Sequence, residues 1–143
     1  MSVSYVHLPP ETQLPTVGEL GPFKSVLVLE QAVSADWQNR VSEWLVSSGC
    51  LYMMAWGAEC SSWDDSVDGA NISVAGLEDT PDDQFVMTTW HDDEPLSETF
   101  WFAGFTAQHP TVPLDRVVII DIGPTNREWQ MLQAYQRAQS RLG

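Results

Sequence analysis

Apolar residues follow two rhythms along this chain, short unbroken runs and spaced stripes, and the two alternate. Ser25–Glu30 (SVLVLE), Leu51–Trp56 (LYMMAW), Phe85–Trp90 (FVMTTW) and Val117–Ile122 (VVIIDI) are runs rich in β-branched and aromatic residues. Such runs predict strands, and the most continuous of them predict strands buried on both faces. Between them, Trp37, Val41, Trp44 and Leu45 recur at i, i+4, i+7 and i+8, one stripe of a helix. Ser34 suits its N-cap and Gly49 its C-terminal stop. Trp63, Val67, Ala70 and Val74 repeat the spacing from Ser61 to Gly76, although Gly69 and Asn71 lower helix propensity there.

A third stripe, Leu96, Phe100, Ala103 and Ala107, follows Pro95 and ends at His109-Pro110. Its centre, Phe100–Phe105, is apolar nearly all round, the mark of a helix deeply buried or given over to a partner. The last stripe is Met131, Tyr135, Ala138 and Leu142, opened by the capping box Thr125-x-x-Glu128. Arg137 and Arg141 suit the negative end of its dipole. Upstream, Val3–His7 alternates and suits an edge strand. Six prolines and glycines from Pro9 to Pro22 then make residues 1–23 an extended arm expected to lie over the domain.

The order β-α-β-α-β-α-β-α predicts an α/β fold in a single domain spanning residues 1–143. The expectation is a three-layer sandwich: a four-stranded, mainly parallel sheet with helices on both faces, Rossmann-like or flavodoxin-like. A flavodoxin-like order would make the strands at Ser25 and Phe85 neighbours, their ends flanking the switch-point crevice.

Charge narrows the partners. The formal charge is −14, and no Lys or Arg occurs between Arg40 and Arg116. Such a field repels nucleic acid and anionic membranes and attracts cations and basic protein surfaces; solubility alone is the plainer reading. Seven tryptophans are many for 143 residues. Most are expected in the core, and a surplus marks an interface. No apolar run reaches the length of a membrane span. The first residues lack the basic and apolar regions of a secretory signal. Cys50 and Cys60 bracket a strand of about seven residues, roughly 23 Å long, beyond disulfide reach. Free thiols are expected, which fits a reducing cytoplasm.

Candidate chemistry collects where strands end. The stretch Gln84–Glu94 (QFVMTTWHDDE) runs from a strand into one imidazole and three carboxylates. Glu30, Gly57–Asp65 and Asp121–Thr125 fall at the equivalent ends of the other strands. Asp64, Asp65, Asp92 and Asp121 are candidate ligands for a divalent cation, with Asp93, Glu94 and His91 nearby. Their spacings match no calcium loop or phosphatase motif, and a run of surface acids is more often a solvated turn. Cys60 and His91 are candidate nucleophile and base, yet Glu59, Asp64 and Asp65 oppose a low thiol pKa. A lone His91 is more often a hydrogen-bonded cap. Nucleotide-binding, nucleophile-elbow and zinc-finger spacings are absent.

The phrases MAWGAECSSWDDSVD and FVMTTWHDDEPLSETFWF resemble a small bacterial α/β domain family of unknown function. The resemblance runs from about Trp37 to the C-terminus and implies neither an activity nor residue roles. The function expected is a protein-binding or regulatory module. Asp64, Asp65, Asp92, Asp93 and Glu94 would face a basic partner, with Trp63, Trp90 and Trp101 as aromatic anchors. The alternative is a small hydrolase using a divalent metal or the Cys60/His91 pair. No cofactor is expected beyond that divalent cation.

Overall fold

The computed structural model describes residues 2–16, 21–75 and 81–140. The run from Phe23 becomes β2 (Phe23–Leu29), every residue of it buried. Around it the chain lays down β1 (Ser2–Leu8), α1 (Ala35–Ser48), β3 (Cys50–Gly57), α2 (Ser62–Ala75), β4 (Met87–His91), α3 (Leu96–Phe105), β5 (Arg116–Ile122) and α4 (Glu128–Gln139). The strands form one sheet in the order β1-β5-β2-β3-β4, and every neighbouring pair is parallel.

The sheet therefore has five strands where four were expected. The added one is the alternating piece at the N-terminus, which pairs with β5 from Ser2↔Arg116 to Leu8↔Ile122. Alternation suits an edge strand, and β1 is an edge. The flavodoxin-like neighbour relation does not occur. β2 lies between β3 and β5, and β4 lies at the far edge. The chain steps outward from β2 to β3 to β4, then returns past both to β5. Connections of one constant hand must change face when that direction reverses. Accordingly Trp37, Val41, Trp63 and Val67 of α1 and α2 join one buried cluster with Leu27, Met53 and Ile120. Phe100, Ala103, Met131 and Tyr135 of α3 and α4 join the other, with Val26, Met54 and Ile119.

Among the described residues of the link from β1 to β2, 9–16 and 21–22, there is no helix, and two tryptophans hold the first of these stretches down. Trp37 Nε1 donates to Thr12 O at 2.8 Å, and Trp44 Nε1 to Pro15 O at 2.9 Å. Trp56 Nε1 does the same for the loop after β4, donating to Glu94 O at 2.8 Å. Three indoles thus serve as loop tethers. At the end of β3, Gly57 has φ 108°, and a Cβ there would lie 2.3 Å from Leu29 O. A side chain is excluded where the two strands leave the sheet.

Two stripes differ in detail from the sequence reading. In α2, Val74 is exposed and Asn71 is buried in its stead. The Asn71 amide donates to Gln84 O and accepts from Val86 N, each at 3.0 Å, so it fixes the entry to β4. That entry delays the strand to Met87, two residues past the predicted start. In α4 the Thr125 capping box does not form. The helix starts at Glu128, and Asn126 Oδ1 accepts the Glu128 N–H at 3.0 Å. An Asx turn takes the donor the box would have used. Gly76, Arg141 and Leu142, each named in those readings, lie outside the described residues.

Candidate functional site

The reversal between β2 and β5 is where an open α/β sheet offers a crevice. Here a charge network fills it. Asp121 of β5 is wholly buried, and Arg127, just before α4, clamps it with Nη2 to Oδ1 at 2.7 Å and Nε to Oδ2 at 3.2 Å. The same guanidinium reaches Glu30 Oε1 at 3.0 Å. Tyr5 of β1 donates to Asp121 Oδ2 at 2.6 Å and accepts the Arg127 backbone N–H at 2.9 Å. Burial first, then the bond to Asp121, pushes the Tyr5 phenol well above its ordinary range. The bond to Asp121 chiefly raises the Arg127 guanidinium. Gly123 makes room for Glu30, because a Cβ there would lie 1.8 Å from Glu30 Oε2. Both oxygens of Asp121 are engaged, so this metal candidate is committed to a clamp tying β1, β5 and α4 together.

Cys60 and His91 are not brought together. Cys60 is buried in the cluster under α1 and α2. The His91 ring meets Phe102 edge-on at 4.9 Å, and Phe102 packs on the cluster under α3 and α4. The sheet therefore separates thiol from imidazole. Both imidazole nitrogens are engaged, Nδ1 with Glu94 Oε1 and Nε2 with Thr89 Oγ1, each at 2.9 Å. The sulfur is reached instead by the His91 backbone N–H, and burial raises the Cys60 thiol, with Asp92 adding to the rise. Both cysteines are free and buried.

Of the remaining acids, Asp64 meets β4, while Asp65 lies beside Asn39 and Glu43 of α1. Asp64 and Asp65 open α2, and Asp64 accepts from Thr88 of β4. One turn on, the Asp68 carboxyl is held above the usual range by burial first, then by Asp64 and Asp65. Asp92 and Asp93 are exposed in the loop after β4, whereas Glu94 is half-buried and holds His91. Trp90 is 46% exposed and Phe85, just before the strand, 45%. Of the other anchors expected, Trp63 is core, because its position in the α2 stripe points it at the sheet. Trp101 is half-buried, its ring 5.4 Å from that of Phe105. The four metal candidates are dispersed. Among the described residues no group of three or more His, Cys, Asp or Glu is arranged to hold a metal.

Sequence reasoning missed Tyr5 and Arg127. The available signal was Asp121 itself, since an acid inside a buried apolar run demands a cation or donors nearby. It also missed Trp129, 71% exposed, which lies off the Met131, Tyr135, Ala138 stripe and so had to face outward.

A parallel five-stranded sheet with its reversal clamped and an acidic, aromatic outer edge defines an α/β domain. The chain belongs to the family described as domain of unknown function (DUF7684), which matches residues 3–138. No curated protein and no solved structure matches it. Among the described residues no helix is long and apolar enough to cross a membrane.

Proposed function

We propose that this protein is a protein-binding, regulatory module whose binding edge is β4. The occupant is an extended basic segment of a partner, added to the sheet as a sixth strand. The observation that carries this reading is the chemistry of that edge. β4 pairs only with β3 in the sheet, and among the described residues no backbone group of Met87–Trp90 is bonded outside that ladder. Main-chain groups left in a row are a template for an incoming strand. Asp64 meets it at Thr88 and Asp92 and Asp93 follow it, with Asp65 and Asp68 farther along α2, and no Lys or Arg lies between Arg40 and Arg116 to neutralise them. Burial is the larger cause of the raised Asp68 carboxyl, and a cationic partner relieves the smaller part that comes from Asp64 and Asp65.

Charges on an edge also serve simply to prevent aggregation. A purely protective edge would not keep Trp90 and Phe85 in solvent beside the acids. Aromatics of that kind are interface anchors. The partner's Lys or Arg side chains meet the acids, and an apolar side chain meets Trp90. A hydrolase would instead need the thiol and imidazole on one side of the sheet, or acids gathered around a cation.

The test is binding of extended peptides that alternate Lys or Arg with Val or Thr, followed by surface-immobilised kinetics. D92N/D93N should slow association and flatten its salt dependence, because rim charges act mainly on encounter. Trp90→Ala should speed dissociation. If no basic peptide binds at any ionic strength, the edge is a guarded one and the proposal falls.

A further inference from the structure

At the opposite, amino-terminal end of the strands lies a cavity of about 430 Å³, formed between β2 and the segment from Gly104 to Asp115. That volume lies in the range of small-ligand sites. The only lysine of the chain is in its wall. Lys24 is 3% exposed beside Ser25 in a wholly buried strand, and its Nζ donates to Ala107 O at 3.0 Å. An ammonium has three donors, and a neutral carbonyl satisfies one. Among the described residues Lys24 has no ion pair within 4.0 Å; the Asp115 carboxylate acts on it from farther away. A buried cation is normally paired, because desolvation alone is costly.

The other walls mix apolar groups, Phe105, Pro110, Val112, Pro113 and Leu114, with the polar Gln108, His109, Thr111 and Asp115. The loop that supplies them is fixed in place. His109 Nδ1 accepts the N–H groups of Thr111 and Val112 at 3.2 and 3.1 Å. Its Nε2 must then carry the proton and donate to Phe85 O, 2.8 Å away. Lys24 holds the start of the same loop through Ala107. A cavity with apolar groups on part of its wall and one under-used ammonium suits a small ligand with an anionic head and a short apolar body.

We propose that this cavity binds a small carboxylic acid, its carboxylate on Lys24 Nζ and its apolar body against Phe105, Val112 and Leu114. The site is independent of the β4 edge. The carboxylate gives the ammonium a direct ion pair, where Asp115 of the same wall acts only from farther away, and a neutral amide of the same shape does not.

Butyrate, hexanoate and benzoate serve as probes, with butyramide, hexanamide and benzamide as neutral controls. Binding is followed by amide chemical shifts of the intact chain. Probes this small should bind at roughly millimolar Kd. The expected result is saturable shifts confined to Lys24 and residues 104–115, for the carboxylates and not the amides. Lys24→Met should weaken binding roughly ten- to a hundredfold. Since that variant also frees the loop, Val112→Trp provides a second arm: it fills the chamber, keeps Lys24, and should abolish binding. Carboxylates that leave the shifts of this segment unchanged, amides that bind equally well, binding undiminished by Lys24→Met, or binding that survives Val112→Trp would each overturn the site.

Discussion

Single residues in this protein carry unusual electrostatic weight, and Asp121 is the clearest case. A wholly buried carboxylate is tolerable only because Arg127 and Tyr5 satisfy it. Arg127→Met should therefore cost about 3–5 kcal/mol in denaturant unfolding, the usual penalty for breaking a buried pair from one side. D121N/R127M should recover much of that loss, since no unpaired charge then remains. Equal losses in the single and double variants would contradict the clamp. Lys24 gives a pH signature. Burial lowers its ammonium below the ordinary lysine range, with Asp115 partly opposing. Between the lowered value and the ordinary value near 10.4 the folded state binds fewer protons than the unfolded chain, so stability rises with pH across that window. The stability of wild type relative to Lys24→Met should shift toward wild type from neutral pH to about pH 10, by at most ~1.4 kcal/mol per unit. A difference flat in pH would contradict this. Burial also pushes the Cys50 thiol up to about 11 and raises Cys60. Thiol reagents should count two groups in denatured protein, with or without prior reduction, and react slowly with the native chain. A count of zero before reduction would mean a disulfide.

Elements are held to one another by indoles as much as by strand pairing. Trp44→Phe keeps the packing surface and deletes the bond to Pro15 O. It should cost about 0.5–1.5 kcal/mol and speed proteolytic cleavage within residues 9–16, with the circular dichroism unchanged. Unaltered cleavage would make the tether idle. Most of this architecture was legible because it rests on periodicity. The runs at Ser25, Leu51 and Val117 became strands, and Trp37, Phe100 and Tyr135 fell on the faces their spacing assigns. Strand order was not legible, since periodicity says which face is buried and nothing about neighbours. Val3–His7 read as an optional edge because alternation is a weaker signal than a continuous run, yet it pairs along its whole length. The acids were visible, while their separation into a clamp, an imidazole cap and an exposed border depends on the tertiary fold. Lys24 was hidden for a similar reason: a single lysine at the start of a strand carries no pattern.

On the scale of the whole molecule, unneutralised acids gather at the carboxyl end of β4, where Asp92 and Asp93 follow the strand and Asp64 meets it at Thr88. That arrangement disfavours joining two copies edge to edge at β4, because their acidic borders would meet. A basic partner meets no such penalty. The central claim is that β4 accepts a basic strand, and hydrogen exchange tests it most directly. A peptide selected for binding from an unbiased display library should be rich in Lys or Arg. It should slow exchange of backbone amides within Met87–His91, with little change at α3 and α4. Selected peptides that are acidic, or protection that falls elsewhere and leaves β4 untouched, would contradict the account.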